Sequence, residues 1–348
     1  MQTITVSQFK DVIRHIVMRQ NRPVMGWGRP GEGKTEGAEQ AAQEENAHLV
    51  DIRLGQYDSV DLKGMPDGDR ATNTTVWYMP STLPFKGNPK FNKITDRPIL
   101  LVFDEINGGV PSTLGVTYQI IQERRCGEHE LMDNVRIVAM GNRETDRGVT
   151  NRMPTPLANR LTHFEVQNTV EDWTYGYAIP RKLQPEAIAF LHFRKNLFNT
   201  FDDALPKGLK AFGTARSWTT AFGYDADPEM PLWMKHAAMA GVVGDGSAAE
   251  YLAFKDVWSK VIPIKEIIKD PMKARVPGPE EASMSYAMAV SVSGSLDVQN
   301  VKPLHAYISR FDPEYTVLCW QLAVKRDQQL ETTREFIDFA KKHMAIWK

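Results

Sequence analysis

The chain has 348 residues, too many for one minimal domain and enough for two or three packed units. Its 42 Lys and Arg against 43 Asp and Glu give a formal net charge of -1, without the basic excess of a protein built to neutralise a nucleic-acid backbone. Cys126 and Cys319 are far apart and form no CxxC, so neither a disulfide framework nor a zinc site is suggested, and no apolar run approaches the ~18 residues of a membrane span.

The segment Met1-Gln2-Thr3-Ile4-Thr5 lacks the basic start and apolar core of a secretion signal, so a cytoplasmic protein with reduced thiols is expected. Residues 7–20 predict an amphipathic helix with Phe9, Val12, Ile13, Ile16 and Val17 on one face and Ser7 as its cap. Residues 23–26 read as a short strand entering a glycine-rich loop, 35–47 as a helix, and 48–54 as the next strand. The stretch 56–98 is irregular and punctuated by Gly and Pro, with 75–79 as one arm of a hairpin. The continuous apolar run 99–103 fits a strand buried on both faces, 135–140 and 161–166 read as further buried strands, and 111–124 reads as a helix between the first two. Such alternation predicts an α/β fold with a mostly parallel sheet. Beyond about residue 170 the pattern is helical, over 184–198, 214–222, 231–242, 248–261 and most of 280–348, with the Pro-rich segment 270–279 as a linker.

The sharpest local pattern is Gly28-Arg29-Pro30-Gly31-Glu32-Gly33-Lys34-Thr35, which fits G-x-x-x-x-G-K-[ST] between a predicted strand and a predicted helix. Its glycines let the backbone curl so that N–H groups point inward at phosphate oxygens, and the start of the following helix adds positive potential. Lys34 would reach the β- and γ-phosphates, and the Thr35 hydroxyl would bind Mg²⁺. The run 99–103 ends in Asp104-Glu105, and two acids closing a buried strand are costly without a task. Beside a phosphate loop, Asp104 would hold Mg²⁺ through its water shell and Glu105 would orient or deprotonate an attacking water. A third buried strand ends in Gly141-Asn142, where Asn142 either bonds the γ-phosphate or the water, or only helps a turn.

This order of motifs resembles the AAA+ ATPases, and more closely their MoxR-like branch, related to the dynein and midasin modules. The residues concerned are Asp61-Leu62-Lys63-Gly64, Asp104-Glu105-Ile106-Asn107, Gln122-Glu123-Arg124, Gly141-Asn142 and Pro156-Leu157-Ala158-Asn159-Arg160-Leu161, within about residues 5–220. Two positions depart from that pattern: Gly108, often Arg in such proteins, and Ala215, often Pro. The resemblance implies an AAA+ P-loop parallel-sheet core over 1–170 with an inserted hairpin near 72–90, an all-α lid over 171–269 and a C-terminal helical extension over 270–348. It implies a homo-oligomeric ring, a hexamer, that hydrolyses ATP with Mg²⁺ and remodels a partner protein, often one with a von Willebrand A-type domain. By the same resemblance Arg160 is an arginine finger reaching the neighbouring subunit's ATP, a role typically worth about 10³–10⁵-fold in rate. Arg143, Arg147 and Arg152 could share it, and Arg216 would be the second sensor joining lid to nucleotide. The hairpin would face the ring pore or a partner, making Trp77, Tyr78 and Phe85 contact residues; the alternative is that they fill a small satellite core.

Two rival functions use the same loop. One is a nucleic-acid-associated motor or loader that could use GTP, against which stand the balanced charge and the lack of a recognisable DNA-binding motif. The other is a nucleotide-gated scaffold with slow turnover, against which stands the full set Lys34, Thr35, Asp104, Glu105 and Asn142. No close His spacing or G-x-S-x-G elbow offers other chemistry.

Overall fold

Strands buried on both faces need a helix layer on each side, and the sequence provides both. The computed structural model describes residues 1–146, 153 and 155–343. They fall into two compact units, Met1–Asn168 and Thr169–Lys348. The first unit holds ten strands among its described residues, numbered along the chain: β1 (Gln2–Ile4), β2 (Val24–Trp27), β3 (His48–Arg53), β4 (Met65–Asp69), β5 (Thr74–Tyr78), β6 (Ile99–Asp104), β7 (Arg125–Cys126), β8 (His129–Glu130), β9 (Val135–Gly141) and β10 (Thr162–Val166). Six of these form one parallel sheet in the spatial order β1-β10-β2-β9-β6-β3. The fold is therefore α/β with a parallel core, followed by an all-helical unit, as the strand and helix pattern implies.

The period-2 geometry of a strand splits each apolar run between two layers. On one face Leu100 and Val102 of β6, with Val138 and Met140 of β9, pack against Phe9, Ile13, Val17, Ala38 and Ala41. These belong to helix α1 (Val6–Val12), its π-helical continuation Ile13–Arg19, and α2 (Lys34–Glu44). On the other face Leu101 and Phe103, with Ile137 and Ala139, meet Leu114, Ile120 and Ile121, which belong to α4 (Pro111–Glu123); the short α3 (Ser59–Lys63) adds Leu62. Continuous hydrophobicity in β6 is thus a consequence of two-sided burial.

Several local expectations are corrected. Helix α1 is capped by Thr5, two residues ahead of the expected cap: Thr5 Oγ1 accepts the Gln8 N–H at 3.2 Å and the Gln8 side chain accepts the Thr5 N–H at 2.9 Å. Ser7 lies inside the helix. Just before that cap lies β1, an edge strand too short to read from pattern, pairing with β10. The arm at Thr74–Tyr78 pairs backward onto Met65–Asp69, and not forward onto residues 80–90. Pro80 and Pro84 cannot donate to a ladder, which disfavours the forward arm.

In the second unit no strand occurs among the described residues. Trp173, Phe190, Trp218, Phe222 and Tyr251 make an aromatic centre, continuous with Met288, Leu304, Tyr307 and Trp320. One core therefore draws on both 171–269 and 270–348. The Pro-rich segment expected as a linker carries no helix but is strapped down: the Arg310 guanidinium donates to the carbonyls of Pro271 and Ala274 at 2.7 and 2.8 Å, and Tyr307 donates to that of Arg275 at 2.7 Å. No described helix is long and apolar enough to cross a membrane.

His192 lies in this core beside the Thr174 hydroxyl at 3.1 Å. Burial pushes its pKa down to about 4, against a smaller upward pull from Glu171, while Lys195 adds to the lowering. The unfolded chain therefore takes up a proton near pH 6.5 that the folded chain refuses. Stability is full above that pH and falls as pH drops toward 4, by up to about 3 kcal/mol. Urea melts between pH 7 and 5 should show this loss, and His192→Gln should flatten it.

Candidate active site

Every side chain singled out near the loop sits at the carboxyl edge of the sheet, where ligands of open α/β folds bind. Strand β2 ends at Trp27 and the loop 28–35 follows directly. Gly28 donates its N–H to the Gly141 carbonyl at 3.2 Å, which ties the loop's entry to the end of β9. At Gly33 φ is +96°, a left-handed value that closes the curl before α2 begins at Lys34. The Lys34 side chain is largely buried, and its ammonium donates to the carbonyls of Gly28 and Arg29 at 2.8 and 2.9 Å. The cation is thus folded back over the hollow of its own loop, held by acceptors that a phosphate oxygen would outcompete. Arg29 reaches Glu32 at 3.3 Å, while Pro30 and Gly31 make the outer bend. Glu32 is 1% exposed, and burial raises its pKa against opposing help from the Asn168 N–H, Arg29 and Lys34.

The first residue past Lys34 meets the acids of β6. Thr35 Oγ1 donates to Asp104 Oδ2 at 2.7 Å, and Asp104 Oδ1 accepts the Glu105 N–H at 2.8 Å. Asp104 is 8% exposed, so its carboxylate is held by two donors in a nearly dry place. This hydroxyl and carboxylate are hard oxygen groups of the kind that hold a small divalent cation directly or through its water shell. Among the described residues no group of three His, Cys, Asp or Glu could form an all-protein metal cage. Asp51, across from Val102 in β3, has its pKa raised first by burial and then by the charge of Asp104.

Glu105 is exposed and has φ +50° and ψ +39°. A non-glycine residue in the left-handed region carries about 1 kcal/mol of strain. Here the strain turns the chain sharply at the end of β6, so that the carboxylate leaves the strand direction and stays in solvent reach. Asn107, quoted in the motif but given no role from sequence, secures this turn. Its Nδ2 donates to the Asn142 carbonyl at 2.8 Å and its Oδ1 accepts the Asn142 N–H at 3.2 Å. The amide thus mimics a strand partner and fixes Asn142 just beyond β9. Close approach requires Gly141, since a Cβ there would lie 2.8 Å from Asn107 Oδ1 and 2.9 Å from the Met25 methyl.

The arginines part company. Arg160 is exposed, precedes β10 and bonds Gln122 at the end of α4. Since β10 runs parallel to β2, Arg160 lies at the amino edge, the edge opposite the loop. It cannot reach its own chain's Lys34 site. Arg143 grips Asp146 through Nε and Nη2 at 2.9 and 2.7 Å and approaches Glu165 at 3.9 Å, so it is committed within its own unit. Arg147 and Arg152 lie outside the described residues. Arg216 is exposed at the start of Ala215–Ala226, whose cap is Thr214. On the hairpin, Trp77 and Tyr78 are 37% and 61% exposed, with Lys63 6.0 Å from the Trp77 ring and the Tyr78 hydroxyl on Asp67 at 2.9 Å. Phe85 is a correction: it is fully buried against His129 and bridges to Leu131, so it fills a core and offers no contact surface.

No protein-family model and no curated protein matches the chain. Solved structures similar to it include a proposed ATPase from Cytophaga hutchinsonii, at 12% identity over 96% of this chain and 88% of that one, with TM-score 0.34. NtrX from Brucella abortus aligns at 13% identity over 97% and 67%, with TM-score 0.39. Hsp104 in a closed state with ATPγS and FITC casein aligns at 14% over 67% and 42%, with TM-score 0.33. At these TM-scores none bears on the role of any residue here.

The Asn107 clamp gives a stability prediction. Asn107→Ala and Gly141→Ala should each destabilise the fold by about 1–3 kcal/mol, one by lost hydrogen bonds and the other by crowding. The double variant should fall short of the sum by about 1 kcal/mol, because the methyl added at position 141 gains the space that the amide leaves. Chemical denaturation of the four proteins measures this.

Proposed function

We propose that this chain is a Mg²⁺-dependent ATPase of the AAA+ type, working between subunits of a homo-oligomeric ring, a hexamer by resemblance, in the cytoplasm. The observation that carries this reading is the contact of Thr35 with Asp104 at 2.7 Å beside the Lys34 loop. It joins the end of a phosphate cradle to the end of an acidic strand, the pairing a metal-triphosphate needs and a mere glycine turn does not.

Residue roles follow from position. The loop N–H groups of residues 31–35, with the N-terminus of α2, face the phosphates, and Lys34 exchanges its two carbonyl partners for β- and γ-oxygens. Thr35 and Asp104 would hold Mg²⁺, Asp104 through its water shell. The chemistry such an ion would supply there is positive charge for the phosphate oxygens. Glu105, turned out of the strand by its left-handed backbone, orients the attacking water and accepts its proton. Asn142, fixed by Asn107, bonds the water or the γ-phosphate. Arg160, on the opposite edge, serves the neighbour's site as a trans cation, and Arg216 links the helical unit to nucleotide state. The exposed Trp77 and Tyr78 are the part of the hairpin suited to a partner, a protein that the ring remodels, with a von Willebrand A-type domain as the family's usual form.

Steady-state ATPase assays against protein concentration test this. Wild-type activity should rise cooperatively. Lys34→Ala should lose nucleotide binding, and Glu105→Gln should bind but turn over about 10²–10⁴-fold more slowly. Lys34→Ala and Arg160→Ala should each fail alone, yet a mixture should recover activity at interfaces that carry both native residues. Full turnover by Glu105→Gln, or no recovery on mixing, would contradict the shared-site mechanism.

A further inference from the structure

We propose that Glu32 and Asn168 are positioning residues that clasp the phosphate loop, holding residue 32 by its main chain and its side chain at once. The Asn168 N–H donates to Glu32 Oε2 at 2.6 Å, and Asn168 Nδ2 donates to the Glu32 carbonyl at 2.9 Å. Arg29 adds a third hold on Oε1 at 3.3 Å. One residue, 136 positions along the chain, therefore fixes both ends of residue 32. Glu32 and Asn168 are 1% and 8% exposed.

This pairing is a poor choice for stability alone. With Nδ2 committed to the Glu32 carbonyl, the amide cannot be reversed without setting two carbonyl oxygens together. Its Oδ1 is then buried with no donor among the described residues. A buried carboxylate and an unmet buried acceptor both destabilise a fold, and apolar residues of similar volume would avoid both. What the arrangement provides instead is position. A Cβ at Gly33 would lie 3.5 Å from Asn168 Nδ2, so the clasp lies directly behind the left-handed turn that aims the N–H groups of Lys34 and Thr35. Asn168 follows the end of β10 at Val166, and the next residue, Thr169, caps the first helix of the second unit through the Asp172 N–H at 3.1 Å. The loop is therefore braced against the last residue of the sheet unit as well as by its own Arg29 and Lys34.

The inference rests on the proposed nucleotide binding and adds which residues preorganise it. Loosening the clasp should weaken binding of the triphosphate while leaving turnover at saturation nearly unchanged, since neither residue touches the reacting atoms. The test uses the full chain as Glu32→Gln, Glu32→Ala, Asn168→Ala and the double alanine variant. Readouts are Kd for a fluorescent ATP analogue, kcat at saturating ATP, and thermal unfolding. Glu32→Gln keeps an oxygen for the Asn168 N–H and should bind within about threefold of wild type. Each alanine variant should bind about tenfold more weakly, the loss expected for one charge-assisted or buried hydrogen bond. The two changes remove different bonds, because the Asn168 N–H and the Glu32 carbonyl are main-chain groups that survive alanine substitution, so the double variant should bind more weakly than either single one. If the alanine variants bind like wild type, or if kcat falls in parallel with affinity, the clasp is refuted while nucleotide binding stands. If wild type itself binds no nucleotide, both fall.

Discussion

Thr35 and Asp104 are on elements that are not neighbours in the sheet: β9 lies between β2, which feeds the loop, and β6, which ends in the acid. Their contact exists because all three strands run in the same direction and end at the same edge. Parallel pairing in turn demands helices on both faces, and that demand explains the apolar runs, the Ala-rich face of α2 and the burial of Phe9. The rest of the first unit can be read as what is needed to bring a hydroxyl and a carboxylate together across an intervening strand.

Precision at that edge comes from backbone features that work against local preference. Glu105 sits in a left-handed conformation, Asn107 uses its side chain as a strand surrogate, and Gly141 leaves the space that surrogate needs. Each would be a defect in an ordinary loop. Together they over-determine the positions of Glu105 and Asn142, which is how a strained conformation persists. Lys34 is likewise held on the carbonyl oxygens of its own loop rather than extended into solvent.

What is legible in the sequence is whatever depends on pattern. Buried strands at 99–103 and 135–140, the loop 28–35 and the paired acids announce themselves through mostly apolar runs, glycine spacing and charge at a strand end. Hidden features are those set by long-range partners. Asn168 has no local signature, because its significance lies in Glu32, far away in the chain. Phe85 is open in the sequence between a contact residue and a satellite core, because its irregular surroundings hide the partners His129 and Leu131 that settle it as core. The direction of hairpin pairing is hard to read because Gly64 and Pro66 obscure the first arm, Met65–Asp69. Thr5 is hidden as a cap for a similar reason: the helix starts where an edge strand without a pattern of its own ends.

The central claim is that Thr35 and Asp104 together hold a divalent cation beside a bound triphosphate. Mn²⁺ binding followed by electron paramagnetic resonance, with a non-hydrolysable ATP analogue, tests it directly. Wild type and Thr35→Ser, which keeps the hydroxyl, should bind Mn²⁺ with similar affinity, and Thr35→Val and Asp104→Asn should bind it at least about tenfold more weakly, the loss of a ligand or of its charge. Undiminished Mn²⁺ affinity in Thr35→Val and Asp104→Asn, with nucleotide still bound, would contradict the account.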